Sequence, residues 1–203
     1  MFEKLRELNR IYDDYRDEVN IRNAKVIGYM IHGGIPLSIA VIVTQGCMQY
    51  YSSMMLALRL LIYFLFLFAL FRPILSKIKN QTLLLYLLQV PVLVMVLLMG
   101  TFMDPEHQAI TIFVFMSALP ASILDKPMHI VAWIVGWMAL FVVCSYCVKE
   151  FHQFRGDLLY ALEFGATSMM VSVIITTARM KVIRDLKVAL ERIEELEGNE
   201  KAE

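Results

Sequence analysis

An all-α membrane protein with six spanning helices is the fold the sequence predicts, and three observations predict it. Of its 203 residues, 59% are hydrophobic, with a mean hydropathy of +0.61, whereas soluble domains hold about 45–50% apolar residues. The 19 basic and 19 acidic residues cancel in number but are unevenly placed, most lying near the two ends of the chain and in a few short gaps. Between the gaps run apolar stretches of the length a bilayer requires, about 20 helical residues. Backbone inside hydrocarbon must satisfy its own hydrogen bonds, and runs of this length do so as helices.

Residues 1–23 form the first element. Leu5, Leu8, Tyr12, Tyr15 and Val19 alternate at spacings of three and four, which puts one apolar stripe on a cytoplasmic amphipathic helix. The acidic cluster Asp13, Asp14, Asp17 and Glu18 disfavours an anionic membrane surface and favours packing on a partner helix. This polar lead-in also sets the first span apart from a cleavable signal peptide. The transmembrane domain, residues 24–178, then comprises spans at 24–46, 53–71, 81–101, 108–123, 129–148 and 158–178. His32, Gly33, Gly34 and Pro36 weaken and kink the first span. Gln89, beside Pro91, is placed to hydrogen-bond across helices in the third. The fourth is short and holds Pro120. Trp133, Trp137 and Tyr146 serve as packing and interface anchors. Cys47, Cys144 and Cys147 fall near outer span ends with no second ligand pair to complete a zinc site, so they read as small apolar fillers. The connections are too short to hold an extracytoplasmic domain.

Orientation follows from the basic residues. Sixteen of the 19 lie on one side if the N-terminus is cytoplasmic, leaving only Lys149 and Arg155 outside and Arg59 within a span. The positive-inside rule therefore places both termini in the cytoplasm of a multi-pass inner-membrane protein.

In the sixth span Ala161, Gly165, Ser168 and Ser172 are spaced four, three and four apart, a stripe on which two helices can approach closely. The rhythm continues through Ile175, Arg179, Val182, Leu186, Ala189, Ile193 and Leu196. One seam is thus expected to join two copies from the membrane into a parallel coiled coil over residues 179–203. A competing register, Ile183, Leu186, Leu190 and Ile193, suits a rod that shifts between states.

Arg59 carries a charge inside the second span, at a cost of up to ~3 kcal/mol near a helix centre. Glu163 lies at similar depth in the sixth, so the two are expected to pair or to floor an outward-facing ligand pocket rimmed by Gln45, Tyr50, Tyr51, His107 and Tyr160. No nucleotide-binding loop, nucleophile elbow or zinc-protease pattern occurs, and the charges are scattered over different helix ends. No catalytic residue, cofactor, metal or nucleic-acid partner is expected.

With six spans, an inner N-terminus and a charged helix leaving the last span, the chain resembles the N-terminal sensory module of bacterial membrane-bound signalling proteins. DEVNIRNAKVIG (Asp17–Gly28) and LPASILDKPMHI (Leu119–Ile130) are similar to stretches of six-span modules fused to GGDEF diguanylate cyclases and, in some cases, histidine kinases. The resemblance implies a homodimeric receptor whose helix packing responds to a small ligand or to the membrane lipid. Its exit helix would drive an output domain expected beyond Glu203, with cyclic di-GMP the product if that domain is a cyclase. A small transporter or channel using Arg59 and Glu163 is the main alternative, and a membrane enzyme acting on lipid a weaker one.

Overall fold

The computed structural model describes residues 9–103, 105–107 and 109–200, without the side chains of 110, 111 and 194–200. All regular structure among them is helical. Residues 9–14 form a lead-in helix. Six longer helices follow: α1 (Arg16–Cys47), α2 (Tyr51–Phe71), α3 (Gln81–Leu98), α4 (Ile110–Ser122), α5 (Pro127–Val148) and α6 (Phe151–Glu200). A wide π turn, Met99–Met103, extends α3.

Five of the six are long and apolar enough to cross a membrane. The exception is α4, whose 13 residues rise only about 20 Å. It coincides with the fourth predicted span, the one that holds Pro120. The predicted bounds otherwise fall within the observed helices, and the local signals explain where several begin. The Asn80 side chain caps α3 by accepting from the Leu83 amide at 3.0 Å, and Pro127 opens α5 at a position where its missing N–H has no partner to lose. Pro36 sits inside α1 without ending it.

Helices α1 and α2 pack on each other, and α6 packs on α5 and α4. At Gly34, α1 approaches α2 so closely that an added Cβ would lie 2.5 Å from the Phe64 ring. The largest core cluster joins Leu60 of α2, Leu93 of α3, Phe113 and Met116 of α4, and Ile134 and Phe141 of α5. The short α4 packs on α3, α5 and α6, and α3 in turn joins them to α1.

The lead-in stripe meets its partner within the same chain. Tyr12 and Val19 are buried with Leu124 and with Met180 and Ile183 of α6, while Leu5 and Leu8 lie outside the described residues. Lys187 pairs with Glu18 at 3.1 Å and stands over the Tyr15 ring.

The seam expected to join two copies inside the membrane is corrected by this packing. Ala161, Ser168 and Ser172 are buried, Ser168 donates to the Ser117 hydroxyl of α4 at 2.6 Å, and a Cβ on Gly165 would touch Met138 of α5. The small-residue face is turned onto the helices of its own protomer, because α4 and α5 need the same close approach that a second copy would.

Candidate functional site

One end of the bundle holds a cleft of about 540 Å³ between α2, the π turn after α3 and the segment leading into α4. Tyr51, Ser52 and Ser53 of the first turn of α2 line its mouth, Arg59 lies two turns deeper, and Met55, Met99 and Met103 supply apolar walls. The Arg59 guanidinium reaches the Met103 sulfur at 3.6 Å, and among the described residues no carboxylate pairs with it. A guanidinium recognises carboxylate or phosphate through its planar fork. The free amides at the start of α2 add to its attraction for an anion.

Three of the seven predicted pocket residues, Arg59, Tyr51 and His107, line this cleft. The other four do not, and each is a correction. Glu163 is exposed on α6 and Arg59 is on α2, which packs mainly on α1, so the two charges share depth without sharing a site. Tyr160 faces the core, with its ring 6.0 Å from that of Phe113. Gln45 and Tyr50 are joined by a backbone hydrogen bond in the turn between α1 and α2, and Tyr50 is exposed.

Behind the cleft is a buried ion pair that sequence reasoning missed. Lys149, just after α5, contacts Asp157 of α6 at 2.9 Å, with side chains 0% and 1% exposed. Asp157 also accepts from the Ser145 hydroxyl at 2.8 Å and from the Ala109 amide at 3.2 Å, while Lys149 donates to the His107 carbonyl at 2.7 Å. His107 and Ala109 line the cleft. The wall of the cleft is therefore latched by its backbone to the start of α6. Opposite charges flanking the short α5–α6 connection were the available signal.

At the opposite end the stretches Asp17–Gly28 and Leu119–Ile130 touch. The Asn23 amide donates to the Leu124 carbonyl at 2.9 Å and accepts from the Leu124 amide at 3.1 Å, and it donates to Thr82 of α3 at 2.8 Å. Asp125 accepts from Tyr86 at 2.9 Å and lies 3.1 Å from His129, and Lys126 pairs with Asp13 at 2.8 Å. Burial pushes the Tyr12 hydroxyl above its ordinary pKa. These bonds fasten α1, α3 and the α4–α5 connection around the base of α6.

Along the exit helix, Val182, Leu186 and Ile193 are exposed whereas Ile183 is buried, and Ala189 is exposed. Of the competing register only Ile183 is covered, by Tyr12 and Val19, while its Leu186, Leu190 and Ile193 stay exposed; the Leu196 side chain lies outside the described residues.

Fold and site together describe an all-helical protein with helices fit to cross a membrane and an arginine-bearing cleft at one end. No family model matches the chain, and neither a curated protein nor a solved structure is significantly similar to it.

Proposed function

We propose that the chain is the sensory part of a bacterial inner-membrane signalling protein, with six crossings and both termini cytoplasmic. In this reading the Arg59 cleft binds an anion with an apolar body, and α6 carries the signal to an output domain, a GGDEF diguanylate cyclase first and a histidine kinase next. One observation carries the proposal: Ala109 belongs to the cleft wall and also donates to Asp157, near the start of a helix 50 residues long. That helix extends about 75 Å without a break. Movement of the wall therefore has a direct mechanical route to the far end of the rod. The exposed Val182, Leu186, Ala189 and Ile193, at coiled-coil spacing, support pairing of two copies along the rod alone.

The test is a spin label on Leu186→Cys in the reconstituted chain with Cys47, Cys144 and Cys147 replaced by serine, read by pulsed distance measurement between copies. A single short distance is expected, and Arg59→Ala should alter its distribution while leaving membrane insertion intact. An absent distance would overturn the pairing, and an unaltered one the coupling. Solute flux through proteoliposomes would instead favour the transporter.

A further inference from the structure

We propose that the inner end of the bundle binds an anionic phospholipid, its headgroup held between α1 and α6 and one acyl chain laid along α1. The proposal rests on the membrane placement above but not on the sensory reading.

Arg22 and Lys25 of α1 and Arg179 of α6 line a cavity of about 300 Å³ together with Asn23 and Ser122, and no acidic residue lines it. The polar neighbours are already satisfied. Asn23 is bonded to Thr82 and Leu124, and the Ser122 hydroxyl donates to the Leu119 carbonyl and accepts from Gln89. The cations are not. Among the described residues none of the three forms an ion pair, and Glu18, one turn before Arg22, is held by Lys187. Arg179 donates to the Ala121 carbonyl at 2.9 Å, which occupies one of a guanidinium's five N–H donors. What this cavity lacks is an anion.

Lys25 and Tyr29 also line a shallow open groove, walled by Ile21, Gly28, His32 and Phe71. Gly28 forms its floor, where a Cβ would meet the Phe71 ring at 4.0 Å. The His32 Nδ1 is taken by the Gly28 carbonyl at 2.7 Å, so the groove stays largely apolar. Within the span, from Ala24 to His32, the groove follows α1 for about 12 Å, most of one leaflet of a hydrocarbon core about 30 Å thick. A cationic pocket beside an apolar groove that reaches through most of one leaflet fits an anionic headgroup with its acyl chain. A free phosphate would have no use for the groove, and basic pockets between helices at the cytoplasmic face are suited to such headgroups. Because Arg179 lies where α6 leaves the bundle, the lipid would tie the exit helix to α1.

The test uses the full chain in neutral detergent with equal amounts of dioleoyl phosphatidylglycerol and phosphatidylcholine, with retained lipid counted by native mass spectrometry. Phosphatidylglycerol should be retained in preference, and Arg22→Gln, Lys25→Gln or Arg179→Gln should each lower the preference about fivefold. Arg179→Lys should keep most of it. Gly28→Leu fills the groove with every charge in place and should also lower retention, whereas Arg155→Gln, exposed at the opposite end, should not. Melting temperatures without lipid confirm that each variant is folded. Equal retention of the two lipids, or retention indifferent to Gly28→Leu, overturns the proposal. So does a rise in melting temperature with inorganic phosphate alone that matches the rise with phosphatidylglycerol, since that would mark a soluble-anion site.

Discussion

Lys149 and Asp157 show how much a single pair can decide. A fully buried ion pair is sustained only when its remaining polar atoms find partners, and here the Ser145 hydroxyl, the Ala109 amide and the His107 carbonyl provide them. Lys149→Met leaves the Asp157 carboxylate buried without its counter-charge, and the expected loss is about 3–5 kcal/mol of stability, measured by denaturant unfolding in detergent. Lys149→Met combined with Asp157→Leu should recover much of that loss, because it removes both buried charges. Arg59 was legible from sequence because a charge inside an apolar run is conspicuous. Its supposed partner Glu163 was not: span ends give a residue's depth, whereas the side of the bundle it faces depends on which helices pack together.

Among the elements, α6 gives the clearest lesson. Small residues spaced four, three and four apart announce a face for close helix contact, and that face is indeed in close contact. The spacing is silent on which helix supplies the other side, and α4 and α5 do so. Helix α4 itself was legible as a short apolar stretch with Pro120, but not as the helix on which α3, α5 and α6 all pack. Between α1 and α2, Gly34 permits an approach that no other side chain does. Gly34→Ala should destabilise the pair by about 1–3 kcal/mol through overpacking against Phe64. The loss should appear as a lowered melting temperature, and Phe64→Leu in the same chain should restore part of it. A Gly34→Ala protein that melts unchanged would place the two helices further apart than described.

For the whole molecule, the first turn of α1 acts as a clasp on α6 through Glu18 and Lys187. A bond from its own backbone amide, then Lys187, holds the Glu18 carboxyl below its ordinary value. The bond to Glu18 holds Lys187 above its own. A depressed carboxylate contributes stability above its unfolded pKa, about 4.3, and loses it as pH falls through the folded value. A raised lysine contributes below about 10.4 and loses it only above that. The clasp is therefore expected to be closed from roughly pH 5 to 10 and to loosen in acid. Protection against amide exchange at residues 16–20, taken relative to the intrinsic rate at each pH, should then fall in acid, and Glu18→Gln should remove that step. The sequence by itself determined the helices and their approximate ends, because apolar length and periodicity are local properties of a chain. Only the tertiary structure decided that the small-residue face is internal, that Arg59 lies apart from Glu163, and that Lys149 closes on Asp157. Each of those depends on which helices are neighbours, and helix neighbours are fixed by packing across long stretches of sequence rather than by any one of them.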